Sequence, residues 1–331
     1  MWNAGVLAPV GLLAVATWVL LLSFDLRHEL LYRSTLAGRD YDRACWVKKP
    51  LYLLVLGSSM SRYGVMPEVI AKKNRIPLKR IANVSRDAAT PFVNYFTYLR
   101  RRDVLSQAKI VYVTYDPWML VVKYHKHSPS QRLLWSYAQW RFMSRELGLA
   151  GSYFLPAVEA ARTLVGLSGG DPPYCSRSMA KRRGFVPKRK EGKLSPVPEG
   201  QTEARTIYDD LDLFGPCTTQ IDYLGRIKEM VEGAGGTFVL LLMPKHPFYI
   251  DVYRTKGEFD GRLRRLVNAR LGPVRVTGSF DSRRYGLTDA DFYDLSHLTE
   301  SGARKFTAKE FASVKRHLLL KPGPLRPTLD Y

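Results

Sequence analysis

Unbroken apolar runs recur along this chain and are too short for buried helices. "LYLLVLG" (51–57), "LKRIANV" (78–84), "KIVYVTY" (109–115) and "GTFVLLLMP" (236–244) are the clearest, and "PVRVTG" (273–278) is a shorter fifth. Between them, apolar residues return every three or four positions, which predicts helices over "MPEVIAKK" (66–73), "AATPFVNYFTYLRRR" (88–102) and "TQIDYLGRIKEMVEGAG" (219–235). A further helix is expected to start near Thr299 in "DFYDLSHLTESGARKFTAKEF" (291–311). Strands lacking a polar face must be covered on both sides. The pattern therefore predicts an α/β fold, a three-layer sandwich with a mainly parallel central sheet.

Two segments depart from that rhythm. Residues 5–24, "GVLAPVGLLAVATWVLLLSF", carry no charge and match the length a bilayer core requires. No small-residue cleavage site follows cleanly, so residues 1–36 are expected to form an uncleaved anchor helix with its juxtamembrane segment. The α/β domain is expected over 48–320. Within it, 167–200 is rich in Gly, Pro, Ser, Lys and Arg without apolar periodicity, which predicts a basic, mobile insertion. Arg27, Arg33, Arg39 and Arg43 all follow the apolar segment and none precedes it. The positive-inside rule would then leave the domain in the cytoplasm.

The charge balance narrows the partners. Lys and Arg number 51 against 30 Asp and Glu, a formal net charge of +21, which favours anionic surfaces and polymers. Nucleic acid is disfavoured, because no zinc-finger spacing, aromatic RNA-binding signature or phosphate loop is present. Cys45, Cys175 and Cys217 are scattered and odd in number, with no metal spacing and no disulfide framework. No metal or cofactor is called for.

In parallel sheets ligands bind at the carboxyl ends of the strands. Those ends carry Ser58-Ser59, Asn83 with Ser85, and Asp116. Near the C-terminus, Asp294 and His297 stand three residues apart before the expected last helix. A serine hydroxyl becomes a nucleophile when an imidazole takes its proton. A carboxylate then fixes the tautomer of that imidazole and stabilises its charged form. One turn of Asp-x-x-His supplies both groups.

Gly57-Ser58-Ser59 after the first strand, together with Asp294, His297, Leu298 and Gly302 before the last helix, resembles the SGNH (GDSL-type) hydrolase superfamily over roughly residues 50–315. The resemblance implies Ser59 as nucleophile, His297 as general base and acid, and Asp294 as its orienting carboxylate. Ser58 and Ser61 would hold the turn. It also implies an oxyanion hole from the amides of Ser59 and Ser85. The chain departs from the family pattern in having Ser58 where the first block has Asp, and in reading "VTYDP" where the third block supplies Asn. Asn83, Asp116 and His246 of "MPKHPFY" are candidate substrate contacts. His125 and His127 read as a surface loop and Trp118 as packing.

The expected activity is that of a membrane-anchored serine acyl-ester enzyme, an O-acyltransferase acting on a cell-envelope or exported polysaccharide. The resemblance to polysaccharide O-acetylation and D-alanyl transfer proteins implies an extracytoplasmic domain and a membrane-bound O-acyltransferase as partner. That location conflicts with the charge rule. A carboxylesterase or deacetylase of the same fold and a catalytically idle polysaccharide-binding scaffold are the alternatives.

Overall fold

The computed structural model describes residues 50–87, 89–100, 102–121, 185 and 215–327. The expected anchor, the basic insertion apart from Phe185, His125, His127, Cys45 and Cys175 lie outside the described residues. Among the described residues no helix is long and apolar enough to cross a membrane.

Five parallel strands form one sheet: β1 (Leu53–Leu56), β2 (Ile81–Asn83), β3 (Ile110–Tyr115), β4 (Thr237–Leu242) and β5 (Arg275–Gly278), in the order β2-β1-β3-β4-β5. These are the five runs predicted from the apolar pattern. Residue 53 of β1 pairs with Ile81 on one side and Ile110 on the other. Every residue of β1 and β3 is buried, as expected of strands with no solvent face.

The helices are α1 (Ser59–Gly64), α2 (Pro67–Asn74), α3 (Pro91–Arg100), α4 (Arg102–Leu105), α5 (Thr218–Gly233), α6 (Pro247–Arg254), α7 (Gly257–Leu271), α8 (Glu300–Glu310) and α9 (Val314–Leu318). Strand pleating sends alternate side chains to two layers. Leu54, Leu56, Val111 and Val113 pack with Ile221, Leu224, Ile227 and Val231 of α5 and with Leu263 and Val267 of α7. Leu53, Val55, Ile110 and Tyr112 pack with Val69 and Ile70 of α2 and Ala303 and Phe306 of α8. The helical spacing of the α5 residues is what puts them on one face. Each such fully buried aliphatic side chain contributes about 1.5–3 kcal/mol.

β1 is flanked by β2 on one side and β3 on the other, so the chain reverses its direction of travel across the sheet after β2. The crevice at such a reversal lies beyond the strand carboxyl ends. Gly57 is the first residue past β1 there. A Cβ on it would collide with the Thr114 side chain and the Ser61 hydroxyl. We expect Gly57→Ala to lose about 1–3 kcal/mol in urea unfolding; an unchanged midpoint would show that this junction is not tightly packed.

On the α8 side a polar cluster is buried between β3 and β5. Tyr112 Oη lies 2.7 Å from His317 Nδ1, and Tyr285 donates to Glu310 Oε2 at 3.0 Å. The Gly278 amide donates to Glu310 Oε1 at 3.0 Å. Burial depresses the His317 pKa, and Arg316 adds to the effect, against the opposing pull of the Glu310 carboxylate. A histidine whose folded pKa lies below its unfolded value binds more protons in the unfolded chain. The stability it secures is therefore full above about pH 6.5 and is lost as pH falls toward the folded pKa. Urea midpoints should fall between about pH 7.5 and about pH 5.5, and fall less in His317→Gln; equal slopes in the two proteins would contradict this.

Candidate active site

Ser59 opens α1, with Ser58 as the N-cap, whose hydroxyl accepts the Met60 amide at 3.4 Å. That cap ends the extended chain of β1 and turns it into a helix beyond the sheet edge. From the far end of the sequence, residues 291–299 form a tight loop. Phe292 and Leu298 pair across it, the Tyr293 amide donates to the His297 carbonyl at 2.8 Å, and the Thr299 amide donates to the Asp291 carbonyl at 2.9 Å. Asp291 holds the base of the loop, accepting from Ser301 at 3.1 Å and Lys305 at 2.7 Å. Gly302 is required here, because a Cβ would strike the Asp291 carbonyl.

The loop carries Asp294 and His297 to Ser59. His297 Nε2 lies 2.7 Å from Ser59 Oγ, and His297 Nδ1 lies 2.7 Å and 2.9 Å from the two oxygens of Asp294. Asp294 Oδ1 also accepts the amides of Ser296 and His297, both at 2.8 Å. Burial pushes the Asp294 carboxyl up, but the His297 ring and those two amides outweigh it and hold the pKa below the usual carboxylate range. An ionised Asp294 accepts a hydrogen bond from Nδ1–H, which fixes the proton there and leaves Nε2 to accept from the serine hydroxyl. The Tyr63 ring meets the His297 ring edge-on at 5.6 Å between centroids, and its hydroxyl donates to Asp87 at 3.0 Å. Ser59, His297 and Asp294, the three residues singled out in the sequence, are thus within hydrogen-bond reach in the order proton transfer needs.

The remaining candidates are placed differently. Asn83, expected to contact substrate, is fully buried. Its carboxamide donates to the carbonyls of Ser61 at 2.7 Å and Val65 at 3.0 Å, and it accepts the Ser85 amide at 3.2 Å. The Ser85 amide, expected in the oxyanion hole, is the donor in that last hydrogen bond. The Ser85 hydroxyl lies 2.8 Å from Ser61 Oγ. Asp116 is buried too. It accepts from the Trp118 amide at 3.2 Å and Tyr249 at 3.4 Å, and it pairs with Lys245. Burial raises the Asp116 pKa despite those three groups. His246 caps α6, with Nδ1 accepting the Phe248 amide at 3.3 Å and Nε2 facing Asp289 at 3.1 Å. Both ring nitrogens are engaged within the fold. The His246 amide donates to the Leu295 carbonyl at 3.1 Å, so this residue braces the loop that carries Asp294 and His297.

Lys245 was not singled out in the sequence. It is fully buried at the end of β4, against Asp116, the Met60 sulfur and the Tyr249 ring. No signal along the chain marked it: the pairing of Tyr115 with Leu242 in the sheet is what brings Asp116 and Lys245, just past the strand ends, together. Among the described residues no group of three His, Cys, Asp or Glu side chains is arranged to hold a metal ion. No known family's sequence model matches this chain, and no curated protein matches it in sequence.

Removing one partner of a buried pair strands the other's charge. Lys245→Met should cost about 3–5 kcal/mol in urea unfolding, with part recovered when Asp116→Asn is added. A double variant no better than the single one would show that the two residues are not energetically coupled.

Proposed function

We propose that the chain is a serine acyl-ester enzyme of the SGNH (GDSL-type) kind, a three-layer α/β sandwich built to transfer acyl groups to a cell-envelope or exported polysaccharide. The observation that supports the reading is the hydrogen-bonded relay Ser59–His297–Asp294 at the carboxyl edge of a parallel sheet. Such an edge is where this class of sheet binds ligands. The apolar segment at 5–24 supports a single anchor, and the excess of basic residues supports an acidic polymer as the acceptor. A membrane-bound O-acyltransferase supplying the acyl donor belongs to the same proposal, as does an extracytoplasmic domain.

The chemistry has two halves. Ser59 Oγ attacks the acyl carbonyl while its proton passes to His297 Nε2. The tetrahedral intermediate collapses to an acyl-Ser59 ester, and the departing alkoxide takes the proton from His297. An acceptor hydroxyl then gives its proton to His297 and attacks the ester, and collapse returns that proton to Ser59 Oγ. Asp294 keeps the ring oriented and stabilises the imidazolium in both halves. The Ser59 amide, at the first position of α1, is the donor we assign to the developing oxyanion. Water in place of a sugar hydroxyl gives esterase or deacetylase activity by the same steps.

Folded protein should be covalently labelled at Ser59 by an alkyl fluorophosphonate, and Ser59→Ala and His297→Gln should abolish labelling. Asp294→Asn, which leaves the imidazole in the wrong tautomer, should lower the rate by about 10⁴-fold. Absence of labelling on Ser59 in protein with a normal unfolding transition would sink the catalytic reading and leave the idle scaffold. Acetyl transfer to oligosaccharide measured against hydrolysis of p-nitrophenyl acetate separates transferase from esterase.

A further inference from the structure

We infer that Tyr63 is a positioning residue for His297, fixed by Asp87 and Arg62, and that the contact matters most once Ser59 is acylated. The timing rests on the proposed acyl-ester chemistry, whereas the contact itself does not.

Ser59 and Tyr63 are four residues apart in α1, so one face of the helix carries both. His297 meets that face twice. Its Nε2 lies 2.7 Å from Ser59 Oγ, and its ring stands at 76° to the Tyr63 ring with 5.6 Å between centroids. Edge-to-face contacts of this kind have a preferred geometry, so a fixed tyrosine restrains the ring it meets. Tyr63 is fixed. It is buried, its hydroxyl donates to Asp87 Oδ2 at 3.0 Å, and the Arg62 guanidinium sits 5.2 Å from its ring centroid.

The anchors are themselves held. Arg62 is almost wholly buried and pairs with the same Asp87 oxygen. A buried guanidinium needs an acceptor of that kind, so Arg62 and Asp87 keep each other in place. The segment bearing Asp87 is tied to the end of β1, because the Arg86 amide donates to the Gly57 carbonyl at 3.0 Å. Two strand-end segments thus fix one aromatic ring, and that ring abuts His297.

The work left to this contact changes through the reaction. With Ser59 free, hydrogen bonds hold His297 at both nitrogens, Asp294 at Nδ1 and Ser59 at Nε2. Once Ser59 Oγ is esterified, it has no proton to donate to Nε2. Asp294 then grips only the Nδ1 side, while Nε2 must still meet the proton of the acceptor hydroxyl. Proton transfer is sensitive to that placement, and the Tyr63 ring is what supplies it. Losing the ring should therefore slow breakdown of acyl-Ser59 more than its formation.

Two measurements on the full chain separate the contact from the chemistry. Ser59→Ala removes the Nε2 partner without any turnover, and nuclear Overhauser contacts between the His297 and Tyr63 rings should persist in it. Their loss would overturn the inference. With p-nitrophenyl acetate, Tyr63→Leu should acylate at a near-normal rate, seen as the first burst of nitrophenolate. Its steady turnover should then fall by about tenfold to a hundredfold. Tyr63→Phe, which keeps the ring and loses only the Asp87 bond, should recover most of that turnover. Burst and turnover falling together in Tyr63→Leu, or neither changing, would also overturn the inference. Absence of fluorophosphonate labelling in the unsubstituted protein would instead sink the acyl-ester chemistry, and the Overhauser result alone would then decide whether Tyr63 positions His297.

Discussion

The Asn83 carboxamide is the contact on which the candidate site depends. α1 has only six residues, and a helix that short has no stability of its own. Its position is set from outside, by two carbonyls of the helix and its exit bonded to one side-chain amide at 2.7 Å and 3.0 Å. Asn83 is itself fixed, being the last residue of β2 and the register partner of Val55 in β1. The sheet thus determines where the helix of the candidate nucleophile lies, through one residue that donates twice and accepts once. The Ser61–Ser85 hydroxyl contact and the missing Cβ of Gly57 add to the same constraint. Precise placement matters because proton transfer between Ser59 and His297 tolerates little error in distance or angle.

The second half of the site follows the same logic on a different element. Asp294 and His297 sit on a loop, where side chains ordinarily have freedom, but this loop is tied at both ends. Asp291 is bonded to Thr288, Ser301 and Lys305, and Leu295 is bonded to the His246 amide. The Asp294 carboxylate is held further by two backbone amides. Polar residues that would otherwise read as surface features are therefore braces. Buried groups at the strand ends, Asn83, Asp116, Lys245 and His246, share that character: each meets backbone or charge that would be left unpaired inside the fold.

This explains which parts were legible in the sequence. β1, β3 and β4 were visible because burial on both faces leaves an unbroken apolar run, whereas β5, half-buried and holding Arg275 and Thr277, was the weakest signal of the five. The Asp294–His297 half of the relay was visible from local spacing before a helix start at Thr299, whereas Ser59, 238 residues away, was joined to it only by the resemblance of the two blocks to a known family. Asn83, Ser85, Asp116 and His246 were recognised as polar residues at strand ends, but which way each polar atom points depends on neighbours far off in sequence. Asn83 reaches residues about twenty positions upstream, while Asp116 is matched by a lysine beyond β4. Lys245 was overlooked for the related reason that a lysine beside a histidine draws less chemical interest than the histidine. Its significance appears only when β3 and β4 lie side by side.

The corrected placements bear on the chemistry itself. On the proposed reading, with the Ser85 amide donating to Asn83 and no Asn after β3, the Ser59 amide would carry a larger share of the oxyanion than in the family that the sequence resembles. A missing donor costs about 2.7–4 kcal/mol, or roughly 10²–10³ in rate, when nothing replaces it. Water arriving without a fixed position, in that same reading, gains nothing to offset the loss. A bound sugar hydroxyl held near the acyl carbon has a high effective concentration, and fixed geometry of this kind is worth more than one oxyanion donor. The buried Lys245–Asp116 pair does not reach into the chemistry as a donor. It lies against Met60, the residue after the nucleophile, and so bears on the same helix start as Asn83. On the proposed reading, selectivity for a polymer hydroxyl over water follows from where the acceptor is held rather than from a stronger oxyanion hole.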